Sequence, residues 1–486
     1  MLWKQPASSG GTLFGPFLKR EHHVQYISTR GQAPALGFED TFLTGLARDG
    51  GLYVPEAWPT LSLDGLSGAG FAEAAWRVAE PFTAGQIDAV AMRGILDQAY
   101  GRFAHPATCP LVQIGDNLYI QELFHGPTLA FKDVAMQVIG GLFEHVLEKR
   151  QERVTIIGAT SGDTGSAAIE ALRDRQGVDV FILHPHGRTS DVQRKQMTTV
   201  HDSNVFNIAI DGTFDDCQDL VKACFNDLAF RDRVSMSGVN SINFGRIMPQ
   251  ATYYLTAAMA LGGSAGRQVQ FTVPTGNFGD VFAGYAAKQM GVPIKRLVVA
   301  TNQNDILTRA MTTGDHSLGQ VHPTQSPSMD IQISSNFERL LFDLYDRDGA
   351  AVRTLMDELK TNKKFELPAE RRERLRSLWG AERSDEQQTT DTICRVYKDA
   401  GYLLDPHTAV GVFAAEQDMQ KTGDTDTPMV VLSTAHPAKF PDAVEKAAGV
   451  RPGLPTHLAD LYEREEKYKV MANDLAVLQQ YVTDNI

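Results

Sequence analysis

Apolar residues change their period along this chain. Over residues 70–103 they recur at mixed three- and four-residue steps, which predicts helix. From about residue 118, short apolar runs alternate with longer amphipathic ones. The runs 118–123, 154–157, 178–183, 205–210, 269–273, 297–300 and 429–432 read as strands. The 154–157 run is bounded by glycine and suits a strand buried on both faces. Helices are expected between them: 134–149, with Val134, Val138, Leu142 and Val146 on one face, then 166–175, 190–200, 214–228, 246–261, 280–290 and 305–313. Strands alternating with helices imply βαβ units and a mainly parallel sheet, hence an α/β fold. The charge-dense stretch 355–396 reads as a helical insertion with a solvated face, and the tail 457–486 as helical.

Composition narrows the function classes. The 486 residues suggest two to four domains at roughly 150 residues each. Residues 1–24 read as a disordered extension without the apolar core of a signal peptide. Residues 25–115 form an N-terminal domain, 116–150 with 236–486 a large domain, and 151–235 a small mobile one. The net charge of −13 argues against a binder of phosphate backbones or anionic membranes, though not against a local pocket for a small anion. Four cysteines with no metal-binding spacing fit free thiols in a reducing cytoplasm, and no metal site is expected. No stretch approaches the ~20 apolar residues of a membrane span.

Four segments carry candidate chemistry. In His125–Asp133, Lys132 opens a long helix among Leu129, Ala130 and Phe131. Burial and the positive end of the helix dipole both disfavour its ammonium form, as a Schiff-base lysine requires. In Gly158–Ser166, glycines and the hydroxyls of Thr160, Ser161 and Thr164 surround Asp163 where a strand turns into a helix, a setting for a carboxylate. In Pro274–Asp280, the N–H groups of Gly276, Asn277, Phe278 and Gly279 could cradle a phosphate dianion. Asp280 is unexpected beside a phosphate, so it either points away or caps the helix. In Asn240–Arg246, Asn240, Ser241 and the fork of Arg246 could hold a second oxyanion. Each segment alone is also compatible with an ordinary capped turn or, for Lys132, a surface lysine. Together, a lysine and several anion cradles at the carboxyl ends of parallel strands point to a cofactor with an aldehyde and a phosphate, pyridoxal phosphate. The missing P-loop and dinucleotide fingerprint weigh against a nucleotide.

Six ordered motifs then coincide: Tyr26–Gly31, Asp49–Pro55, Gly126–Asp133, Thr160–Gly165, Gly276–Asp280 and Thr434–Phe440. Jointly they resemble the threonine synthases, in the longer form shared by many bacteria and fungi. The resemblance implies a fold type II pyridoxal-phosphate enzyme, related to the β subunit of tryptophan synthase, that turns O-phospho-L-homoserine and water into L-threonine and phosphate. It implies that Lys132 carries the cofactor and that Gly276, Asn277, Phe278 and Gly279, with Asp280 adjoining, bind its phosphate. Thr434, or its neighbour Ser433, then faces the pyridine nitrogen. The Thr160–Thr164 loop, Ser161 included, receives the substrate carboxylate, and Asn240, Ser241 and Arg246 contact the substrate phosphate. Many relatives in the wider fold group carry Asn where this chain has Asp163, near the cofactor's phenolic oxygen. An Asp there is expected to be protonated or turned aside. The nearest rival is a lyase on the same scaffold that releases phosphate, ammonia and a 2-oxo acid. The partner expected is the small-molecule substrate, with no nucleic acid or membrane, for a monomer or homodimer.

Overall fold

A computed structural model describes residues 24–160 and 162–486. The expected extension 1–24, apart from Val24, and the candidate residue Ser161 lie outside the described residues.

Two twisted sheets organise the chain. The larger runs Trp379–Arg383, Ile294–Thr301, Val269–Pro274, Met429–Ser433, Leu118–Glu122, Leu111–Gly115 from edge to edge. It is parallel except for the hairpin that pairs Leu111–Gly115 with Leu118–Glu122. The smaller runs Lys469–Ala472, Val205–Asp211, Val178–Pro185, Val154–Ala159, Met236–Ser237 and is parallel throughout. Every residue of Val178–Pro185, Val269–Pro274 and Met429–Ser433 is buried. Helices cover both faces of such strands, so even their polar residues Asp179, His184, Gln270 and Thr272 are buried. All seven expected strands are present.

One expected region is refined, and two others depart from expectation. The 70–103 stretch forms two helices, Phe71–Thr83 and Ala89–Tyr100, because Asp88 accepts from the N–H groups of Val90 and Ala91 and starts a new helix. The 355–396 stretch is not one helical insertion: the strand Trp379–Arg383 lies inside it and forms an edge of the larger sheet. The tail holds one short α-helix, Leu475–Asp484, preceded by the strand Lys469–Ala472. That strand adds to the smaller sheet, and Met471, Leu478 and Val482 bury against Phe181, Ile208 and Ile210. The end of the chain therefore packs with the 154–237 sheet, not with the larger one as the sequence division at 236–486 placed it.

The N-terminal motifs act as braces. Asp49 accepts from the Ser28 hydroxyl and from the N–H groups of Gln32, Ala33 and Gly51, which folds the Asp-Gly-Gly turn. Thr29 and Arg30 both bind Glu338, at 2.6 Å and 3.0 Å. The adjoining Arg339, fully buried, donates to the carbonyls of Tyr53 and Ile242 and to the side chain of Asn336. It thereby joins the N-terminal strands to two of the candidate loops.

Candidate active site

The strand Leu118–Glu122 leads into the loop 123–131, which the segment after the Met429–Ser433 strand stitches in place. Phe131 N–H donates to the Thr434 carbonyl (2.9 Å), and His436 N–H to the Leu129 carbonyl (3.0 Å). Leu129 takes a left-handed φ of 62° to make this turn. Thr128 donates its N–H and hydroxyl to Asp133. Lys132 then opens the helix Lys132–Arg150 with its side chain only 12% exposed.

The Lys132 nitrogen lies 3.4 Å from Asp163 Oδ2. Asp163 Oδ1 is held by a second lysine, Lys439 (2.8 Å), and by Gln193 Nε2 (2.8 Å). Lys439 is wholly buried and also donates to the Thr128 carbonyl (2.7 Å). Burial lowers the Lys132 pKa below the ordinary lysine value. Asp163 opposes that shift, while Lys439 and Arg246 reinforce it. Burial alone would raise the Asp163 pKa, but the two lysines and Gln193 prevail and hold it well below the usual carboxylate range. Asp163 is not turned aside: it faces Lys132, and each of its oxygens has a lysine in contact, which favours the ionised form.

Thr160 shapes its own loop. Its Oγ1 accepts from the N–H groups of Gly162 and Gly165, 2.9 Å each, so those two donors are spent. Asp163 and the half-buried Thr164 begin the helix Asp163–Leu172.

In the 274–280 loop, Ser334 Oγ donates to the Gly276 carbonyl (2.8 Å), and the N–H and side chain of Asn336 both donate to the Asn277 carbonyl (3.1 Å). Across a trans peptide the next N–H points opposite to the carbonyl. The N–H groups of Asn277 and Phe278 are thus turned away from Ser334 and Asn336, with no partner among the described residues. Phe278, at φ 64°, caps the helix Gly279–Gln289, whose dipole adds to the cradle. Its ring packs on Phe337 and Trp379, so its contribution is backbone. A Cβ on Gly276 would lie 2.5 Å from the Ser328 carbonyl, and one on Gly279 3.6 Å from Ser241 Cβ, which places the 240–246 loop beside the cradle.

Asp280 is corrected as a cofactor contact: its side chain points away, accepting from Tyr253 (2.5 Å) and Tyr254 (3.0 Å). Burial raises its pKa to about 6 against the pull of both tyrosines. A folded pKa above the unfolded one makes this group bind a proton on folding, so its contribution falls as pH rises from about 4 to about 6. Asp280→Asn is therefore expected to gain on the parent by on the order of 2 kcal/mol between those limits. Urea unfolding at pH 4 and pH 7 measures it, and parallel pH dependences would refute it.

Arg246 is 2% exposed, donates to the Val239 carbonyl (3.1 Å), and leaves its Nε without a partner. No carboxylate pairs with it among the described residues, and burial pulls its pKa down to about 10. A buried guanidinium without a counterion is poised for an anion. Asn240 and Ser241 lie half-buried in the same loop. The Ser433 hydroxyl is taken by Thr408 (2.9 Å), itself bound to Asp405, whereas the Thr434 hydroxyl has no partner among the described residues.

Sequence reasoning missed Lys439, Gln193, Asn336 and Arg339 as parts of this site. Lys439 carried a usable signal, a lysine in an apolar turn between Pro437 and Pro441; Gln193 and Asn336 carried none. The assembled set fits pyridoxal phosphate: an amine below its ordinary basicity for the aldehyde, unpartnered N–H groups at a helix start for the phosphate, and an open hydroxyl for the ring. Among the described residues there is no metal-binding cluster of His, Cys, Asp and Glu, and no helix long and apolar enough to cross a membrane.

Comparison with known proteins agrees. The threonine synthase N-terminal model matches residues 25–100, the pyridoxal-phosphate dependent enzyme model 106–359, and the threonine synthase C-terminal model 408–482. A threonine synthase of Pseudomonas aeruginosa is 54% identical, over 95% of this chain and 98% of its own. The crystal structure of PLP-bound threonine synthase from Brucella melitensis superposes with a TM-score of 0.92 at 54% identity, covering 95% of this chain and 99% of that one. The yeast threonine synthase structure gives 0.90 at 40% identity, covering the same shares. This chain belongs to the threonine synthase family of pyridoxal-phosphate enzymes, with the fold type II architecture.

Proposed function

We propose that the chain converts O-phospho-L-homoserine and water into L-threonine and phosphate, the last step of threonine biosynthesis, with pyridoxal phosphate carried on Lys132. The observation that supports this best is the presence of two separate anion sites around one buried lysine. The 276–279 cradle suits the cofactor phosphate, which leaves Arg246, unpaired and buried, for a phosphate on the substrate. A substrate without a phosphate would leave that guanidinium uncompensated, at a cost of several kcal/mol.

When bound, pyridoxal phosphate supplies an electron sink for charge developing on the substrate. The rest falls to this chain. With its amine free, Lys132 would act as general base at the substrate's α carbon. Arg246, with Asn240 and Ser241, holds the phosphate as it leaves the γ carbon. The Thr160–Thr164 loop takes the carboxylate through the helix start at Asp163 and Thr164. Thr434, whose hydroxyl has no partner among the described residues where that of Ser433 is taken by Thr408, faces the ring nitrogen.

The 151–235 segment acts as the mobile unit over the site. One contact supports this reading: its helix Asp191–Thr198 reaches the Thr128 carbonyl, beside Lys132, through Gln196 (3.1 Å). Closure there would exclude water until the addition step. A cytoplasmic location accords with four free thiols.

Incubation of the cofactor-loaded protein with O-phospho-L-homoserine tests the function. Equal yields of phosphate and threonine are expected. Phosphate with 2-oxobutyrate and no threonine would make the chain a lyase, and no phosphate would refute the substrate.

A further inference from the structure

The site holds more lysine than one Schiff base needs. Lys439 has no exposure, and both of its hydrogen-bond partners belong to the reactive centre: Asp163 Oδ1 (2.8 Å) and the Thr128 carbonyl (2.7 Å). Asp163 is itself 5% exposed and divides its oxygens, one toward Lys439 and Gln193, the other toward Lys132. This asymmetry has a chemical consequence. When Lys132 condenses with an aldehyde, two of its hydrogens leave with the aldehyde oxygen as water, and the imine nitrogen keeps one N–H at most, so it offers the buried carboxylate a cation only while that last proton stays. A buried carboxylate without a cation costs several kcal/mol or takes up a proton. Lys439 is the cation that stays.

We propose that Lys439 is a positioning residue for Lys132: it locks the Asp163 carboxylate in place and supplies the permanent charge that keeps it ionised while Lys132 is linked to the cofactor. The inference builds on the reading of Lys132 as the Schiff-base lysine. The groups around the pair come from five segments. Lys132 and Asp133 lie on one helix, Asp163 opens a second, Arg246 lies on a third and Asp280 on a fourth, and His436 precedes Lys439 in its own turn. Lys439 and Arg246 repel a proton on Lys132, and Asp163 attracts one. Removing the Lys439 charge must therefore make the Lys132 nitrogen more basic, and removing the Asp163 charge must make it less so.

The test is the pH dependence of Lys132 acetylation by acetic anhydride, read by mass spectrometry on the cofactor-free full chain. Lys439→Gln keeps donors for Asp163 and Thr128 but drops the charge; it is expected to raise the midpoint by roughly one pH unit. Lys439→Arg is expected to restore the parent midpoint. Asp163→Asn moves it down by a similar amount and serves if Lys439→Gln does not fold. In the loaded protein, where Asp163 takes up a proton once Lys439 is gone, the visible cofactor band of Lys439→Gln is expected to lose its protonated form at lower pH than the parent. A midpoint in Lys439→Gln equal to that of the parent overturns the proposal, as does an unmoved midpoint in Asp163→Asn. Borohydride reduction of the loaded protein separates the two failures. Cofactor fixed on Lys132 with unmoved midpoints refutes the role of Lys439 alone, whereas cofactor fixed on another lysine refutes the reading beneath it.

Discussion

Lys132→Ala is expected to remove the visible absorption of the cofactor-loaded protein and to lower turnover by at least about 10³-fold, near the upper range for loss of a general base. The fold should survive, because the lost amine is a buried cation 3.4 Å from its carboxylate and not a packing element. Asp163 keeps Lys439 and Gln193 in the variant, so it is not stranded. The cofactor phosphate should still find the 276–279 cradle, which leaves binding weakened but measurable. The competing outcome is specific. Lys439 is the other lysine in contact with Asp163, so a surviving band in Lys132→Ala would place the linkage there. Peptide mapping after borohydride reduction decides between the two lysines.

Three of the strands that could be read from the sequence share one property: Val178–Pro185, Val269–Pro274 and Met429–Ser433 are buried along their whole length. In the first two, the β-branched and aromatic residues Val178, Val180, Phe181, Ile182, Val269, Phe271 and Val273 mark them as strands. Two of the missed strands lack that uniform burial. Trp379–Arg383 is an edge strand whose last residue is exposed, and it lies in a stretch dense with Arg and Glu. Those charges face solvent from neighbouring helices and masked a five-residue strand. Lys469–Ala472 buries one residue in four, Met471, and its pairing with the 205–211 strand spans more than 250 residues of chain. No local pattern reports so remote a partner, since the pairing is set by the tertiary packing of Leu478 and Val482.

The site follows the same division. Loops whose chemistry lies in backbone N–H groups or in one residue, such as Gly276–Gly279 and Lys132, were visible because glycine and lysine at a strand–helix turn are locally informative. Side chains that act by holding another group were not. Asn336 turns the Asn277 carbonyl so that the cradle faces the site, and Arg339 fixes Asn336, yet both come from a helix 60 residues further along. Asp163 shows the limit most clearly. The family resemblance implied a protonated or averted carboxyl, and no local pattern announced Lys439, 276 residues later in the chain, or Gln193 on the same oxygen.

Arg246→Met should separate activity from stability. The guanidinium is 2% exposed, with an unpartnered Nε and no carboxylate in contact, so the substrate-free protein bears its desolvation uncompensated. Methionine of similar reach removes that cost while forfeiting one hydrogen bond to the Val239 carbonyl, worth about 1 kcal/mol. The melting temperature of the cofactor-loaded variant is therefore expected to equal or exceed that of the parent. Activity should move the other way: kcat/KM for O-phospho-L-homoserine is expected to fall on the order of 10²–10³-fold, as for loss of a donor that stabilises a departing oxyanion. Orthophosphate supplies an independent reading. With the cofactor filling the 276–279 cradle, added orthophosphate should raise the melting temperature of the parent by mass action and leave that of Arg246→Met unmoved. A variant that loses stability and activity in parallel would make Arg246 a structural cation. A variant with kcat/KM within about threefold of the parent, a difference of under 1 kcal/mol, would remove the substrate phosphate from this guanidinium altogether.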